Sequence, residues 1–155
     1  MKRCVLAAVL CFSTTLASAS DGPPVSVETR AKGSQTVVLA TVTNVNSRFG
    51  TNSFGDQIIV SDVQVDVAET LKGQANDTLT VTVEGGQIND LTLKVSDMPV
   101  MRPGERAVFF LERSASSLVL HGRGSGVLRV DSADRVPEAN LTVDDVRRAI
   151  RAAGR

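Results

Sequence analysis

One run of the chain constrains its fold more than any other. Residues 56–73 read DQIIVSDVQVDVAETLKG. From Ile59 onward, Ile59, Val63, Val65, Val67 and Leu71 share one parity, while Asp62, Gln64, Asp66 and Thr70 share the other, which is the period of a half-buried strand. At ~3.3 Å per residue such a strand reaches about 50 Å, more than the width of a small domain, so it has to bend. Ile58 and Val60 are apolar on the other parity, and this change of phase near Ser61 predicts a bulge or corner. A long, bent strand that serves two parts of one sheet points to a barrel.

The flanking segments fit that architecture. Residues 36–45, TVVLATVTNV, and 106–111, RAVFFL, are apolar on both parities, as in strands covered on both faces. Residues 78–84, TLTVTVE, alternate cleanly, Gly85-Gly86 breaks the pattern, and residues 91–95 form a short strand. Pro103-Gly104 fits the centre of a type II turn. Residues 118–121 and 127–130 read as a hairpin around the glycine-rich run 122–126. A short helix is expected over residues 26–32, capped by Ser26 and stopped at Gly33. The clearest helix spans residues 142–153: Thr142 is placed as N-cap, Asp145 returns the bond from the third helical position, and Val143, Val146, Ala149, Ile150 and Ala153 form one apolar stripe.

The first nineteen residues have the form of a secretory signal peptide. Lys2 and Arg3 precede an apolar run that ends in Ala17-Ser18-Ala19, which places the cut before Ser20. Both cysteines, Cys4 and Cys11, lie in that segment, so the mature chain would hold no disulfide and no membrane anchor. The expected organisation is signal peptide 1–19, tether and short helix 20–35, and one barrel domain 36–155, secreted or periplasmic. Without Lys2 and Arg3 the chain carries 15 basic and 17 acidic residues, a net charge of −2, too small to imply a polyanionic partner.

The segments TVTNV, ETLKG, EGG and GERAVFFL, in this order between Val37 and Leu111, resemble small exported bacterial proteins of unassigned function and the netrin-like or tissue-inhibitor-of-metalloproteinase pattern. That resemblance implies a mainly β fold: an OB-like, closed or partly open antiparallel barrel with a C-terminal helix. It also raises regulation or inhibition of an exported protease as an alternative function. The animal inhibitors chelate the protease zinc through an N-terminal cysteine, and no residue here matches that device.

Candidate chemistry is sparse. His121 is the only histidine, which excludes sites built on several. Residues 121–126, HGRGSG, fit neither a nucleophile elbow, which needs glycine where Arg123 stands, nor a phosphate loop followed by a helix, so a hydrolase ranks third among the functions. Asp56, Asp62 and Asp66 offer oxygen ligands, but Asp62 and Asp66 are spaced along a strand face rather than wrapped in a loop, so no metal or other cofactor is implied. Glu69 shares the inward parity of its neighbours; it lies at the barrel mouth, pairs with an arginine, or belongs to another local register. Nucleic-acid binding needs aromatics interleaved with basic residues on the sheet, and these strands carry Val, Thr and Leu.

Residues 46–55, NSRFGTNSFG, read as a loop with two of the five phenylalanines, Phe49 and Phe54, beside Arg48. Either they plug a barrel end or they meet another molecule. The leading expectation is a non-catalytic exported module that contacts another protein through barrel-end loops. Its contact residues are Arg48, Phe49 and Phe54, joined by Met98 and Met101 from residues 97–102.

Overall fold

A computed structural model of the chain describes residues 25–154 apart from Ser53. The expected signal peptide, its cut and the start of the tether lie outside the described residues.

The fold is mainly β. Five strands form a ring: β1 (Thr36–Thr51), β2 (Gln57–Lys72), β3 (Thr78–Glu84), β6 (Arg106–Ser114) and β7 (Ser117–Leu120). Around the ring the order is β1-β2-β3-β7-β6, and β6 returns to pair with β1. Every seam is antiparallel except β3–β7, which is parallel through Val81–Leu118 and Thr82–Val119. A short hairpin, β4 (Gly86–Ile88) and β5 (Leu91–Leu93), stands between β3 and β6.

The expected hairpin of residues 118–121 with 127–130 does not form. β7 and β8 (Val127–Val130) instead share one edge of β6, where β7 pairs with residues 111–114 and β8 with residues 106–109. The single 3-10 turn Arg123–Gly126 carries the chain between them.

The two-sided burial expected of β1 and β6 creates two cores. Val38, Ala40, Val42, Ala107, Phe109 and Leu111 point into the ring with Val63, Val65, Val81 and Val83. Val37, Leu39, Val108 and Phe110 point outward, beneath helices α1 (Val27–Gly33) and α2 (Val143–Ala153), whose Ala31, Val146 and Ile150 close the second core. Burial of this apolar area, at about 25 cal/mol per Å2, supplies the main stabilising term.

Both helices start as expected. Ser26 accepts from Thr29 N–H, and Thr142 and Asp145 form the reciprocal capping box. Lys72 explains the LKG motif: its Nζ donates to the Ala31 and Ser34 carbonyls (2.6 and 2.7 Å), satisfying the C-terminal end of α1 with a cation.

Bulges lie elsewhere than expected. Pairing runs unbroken through Ser61, which faces Ser47 on β1 and Val83 on β3. The irregularities are Thr43 on β1 and Ala68 and Leu71 on β2, each an extra residue opposite the partner strand. The extra residue at Ala68 turns Glu69 outward, where it faces the same side as Leu39 and binds Arg147 of α2 with Nε–Oε2 2.9 Å and Nη2–Oε2 2.6 Å. Of the three placements open to Glu69, the arginine pair and the changed register both hold. Pro103-Gly104 makes the expected turn, with Gly104 at φ +87° and Glu105 N–H bonded to Arg102 O.

Candidate functional site

The segment expected as a loop, residues 46–55, is largely strand. β1 continues to Thr51 and pairs with β2 down to Gln57, so Arg48 faces Val60 and Phe49 faces Ile59 across a rigid ladder. The extra residue at Thr43 resets the alternation, so Val45, Ser47 and Phe49, rather than Asn44 and Asn46, continue the inner face. Beyond residue 43 this arm outruns β6, which pairs only with residues 36–41. On the side away from β2, residues 44–51 have no strand partner among the described residues. Asn52 pins the tip: its side-chain oxygen accepts from Phe54 N–H and Asp56 N–H, both at 2.9 Å.

The arm presents the two phenylalanines. Phe54 is 89% exposed and Phe49 51%, so neither plugs the ring. Arg48 points to the opposite face, where Nε and Nη2 grip Asp62 at 2.6 and 3.1 Å; Thr82 donates to the same carboxylate at 3.0 Å, stitching three strands. The Arg48 hydrogen bond is the chief reason the Asp62 carboxyl is held below the usual range, with Thr82 adding to it.

Met98 and Met101 sit apart from the arm's tip. Met101 is 6% exposed and belongs to the inner core, so it does not form an exposed contact; Met98 is half-buried against that core. Both line a cavity of about 510 Å3 between the inner face of the arm and a roof made of β4, β5 and residues 94–101. Val45, Val63, Val83 and Met101 form its apolar floor, and Leu93, Val95, Met98 and Pro99 its roof. This volume is within the range of small-molecule sites, about 300–1,000 Å3.

Two serines on the floor are bound into a relay. Gln87 N–H donates to Ser47 Oγ (3.2 Å), Ser47 and Ser61 Oγ are 3.0 Å apart, and Ser61 donates to Gly85 O at 2.7 Å. Since the one Ser61 proton goes to Gly85, the Ser47 proton goes to Ser61. The relay clasps the root of the β4–β5 hairpin to the arm, and Gly86 makes it fit: at φ +142°, a Cβ there would lie 2.4 Å from both serine oxygens.

Arg123 fastens the roof at its other side. It bridges Glu84 (Nη2–Oε2 3.0 Å) and both carboxylate oxygens of Asp97, whose carboxyl is held below its usual range by that bond, and Gly124 N–H donates to Asp97 O at 2.8 Å. The glycine-rich run 122–126 is therefore a clamp on the roof. Sequence reasoning overlooked it because the partner lies 26 residues away.

His121 shares Nδ1 with Glu112 Oε2 at 2.9 Å, and Ser125 Oγ donates to Gly122 O. No serine or threonine hydroxyl is bonded to His121 among the described residues. Nor do any three histidine, cysteine or acidic side chains there gather into a metal-holding group. No helix in this region is long and apolar enough to cross a membrane. A scan of protein-family models and a search of curated proteins found no match to the chain.

Proposed function

We propose that this protein is an exported, non-catalytic binding module on an OB-type barrel, and that it grips another protein along the β1–β2 arm. The barrel assignment is supported by the ring order β1-β2-β3-β7-β6 with its single parallel seam, the Greek-key arrangement of that fold. The observation that carries the function is the exposure of Phe49 (51%) on the β1–β2 ladder and of Phe54 (89%) in the turn at its tip. An aromatic ring fixed in water adds contact area with little ordering cost on binding. The unpartnered edge of residues 44–51 supports the mode: an extended segment of the partner adds as a strand, main-chain bonds supply affinity, and Phe49 and Phe54 supply selectivity.

Immobilised protein is expected to retain a partner from an extracellular or periplasmic fraction, and the double variant F49S/F54S to lose it with an unchanged melting temperature. Amides of residues 44–51 gain protection from hydrogen exchange in the complex. A large drop in melting temperature for F49S/F54S, or full retention of the partner, overturns the reading.

A further inference from the structure

From the cavity under the β4–β5 hairpin we infer a second binding site, one for an apolar chain with an anionic head group, of the fatty-carboxylate class. The space of about 510 Å3 opens to solvent and is walled by Val45, Val63, Val83, Leu93 and the two methionines, apolar surface that a hydrocarbon chain would take out of water. Both serine protons on the floor are consumed within the relay from Gln87 to Gly85, so the floor itself offers no free hydroxyl donor; the other lining hydroxyls, Thr92 and Ser96, stand at exposed positions. Unbranched Met98 and Met101 adapt to chains of varied shape.

The rim chooses the head group. Glu84 and Asp97 share the single cation Arg123, so the rim is neutral overall, and Lys94, which is exposed and has no ion pair among the described residues, is the cation left to meet a head group. The roof is held at its root by the serine relay and at Asp97 by Arg123, so the way in lies past the exposed Lys94 and Val100.

Isothermal titration calorimetry with dodecanoate, dodecanol and dodecyltrimethylammonium, each below its micelle concentration, tests the site. Dodecanoate binds with one-to-one stoichiometry, dodecanol more weakly and the cation least. Lys94→Glu lies on an exposed position and leaves the fold intact; it weakens dodecanoate roughly three- to ten-fold and leaves dodecanol unchanged. Met98→Trp fills the cavity and reduces binding of both. The absence of saturable dodecanoate binding, equal affinity for the cation, or indifference to both substitutions overturns the proposal. So does saturable binding of an apolar peptide in place of dodecanoate.

Discussion

The Ser47–Ser61 relay makes a sharp energetic prediction. Ser61 is 7% exposed, and its replacement by alanine removes the hydroxyl donor to the Gly85 carbonyl and the acceptor of the Ser47 proton, while Ser47 Oγ keeps its bond from Gln87 N–H. A buried polar group deprived of its partner costs about 1–3 kcal/mol, and that is the expected loss for Ser61→Ala. Ser47→Ala removes the acceptor of Gln87 N–H at a more exposed position where water substitutes, so about 0.5–1.5 kcal/mol is expected. The double variant loses the shared bond only once, and its cost falls short of the sum by about 0.5–1 kcal/mol. Urea denaturation followed by circular dichroism measures all three. Hydrogen exchange adds a local readout, since amides of residues 86–93 exchange faster in either single variant as the clasp loosens. Strict additivity, or a Ser61→Ala protein as stable as the parent, would falsify the relay.

Further outcomes rest on the two cores and the charged stitches. Phe109→Ala and Phe110→Ala each cost about 3–5 kcal/mol in denaturation, although the first ring lies inside the barrel and the second under the helices. Thr142→Ala removes the cap of α2 and costs about 0.5–2 kcal/mol, while Thr142→Ser recovers most of it; equal stability of the two variants would discount the capping box. The Asp62 carboxyl is depressed chiefly by its bond from Arg48, so its contribution is present above the unfolded pKa, about 3.9, and disappears as pH falls through the lower folded value. The stability gap between the parent and Arg48→Gln therefore closes on acidification across that window. A gap independent of pH contradicts the assignment.

The legible parts of this sequence were those whose side chains repeat with a single period. Two-sided burial of residues 37–42 and 106–111 was visible because apolar residues occupy both parities, and α2 because cap, dipole and stripe agree. The full length of β1 was hidden. One extra residue at Thr43 shifts the pattern, and the strand then continues through Asn46, Ser47, Arg48 and Gly50, a composition that reads as loop unless its partner strand is known. The pairing of β7 and β8 with β6 rather than with each other depends on long-range closure of the ring, which no local signal carries. The cavity was illegible for a similar reason. Its floor comes from three strands and Met101 and its roof from β4, β5 and the segment that follows, and within residues 94–101 Val95, Met98 and Met101 keep no period; their apolar character in a turn-rich segment was the available clue.

β1 and β6 serve as the shared wall between the ring's interior and the helical layer. Detaching α1 and α2 would strip water protection from Val37, Leu39, Val108 and Phe110 on the very strands whose reverse sides hold the ring shut. The two layers are therefore coupled like the two faces of one sheet of paper. Heat or denaturant should find no halfway state in which the barrel survives bare, and a truncation that removes α2 would take the ring down with it.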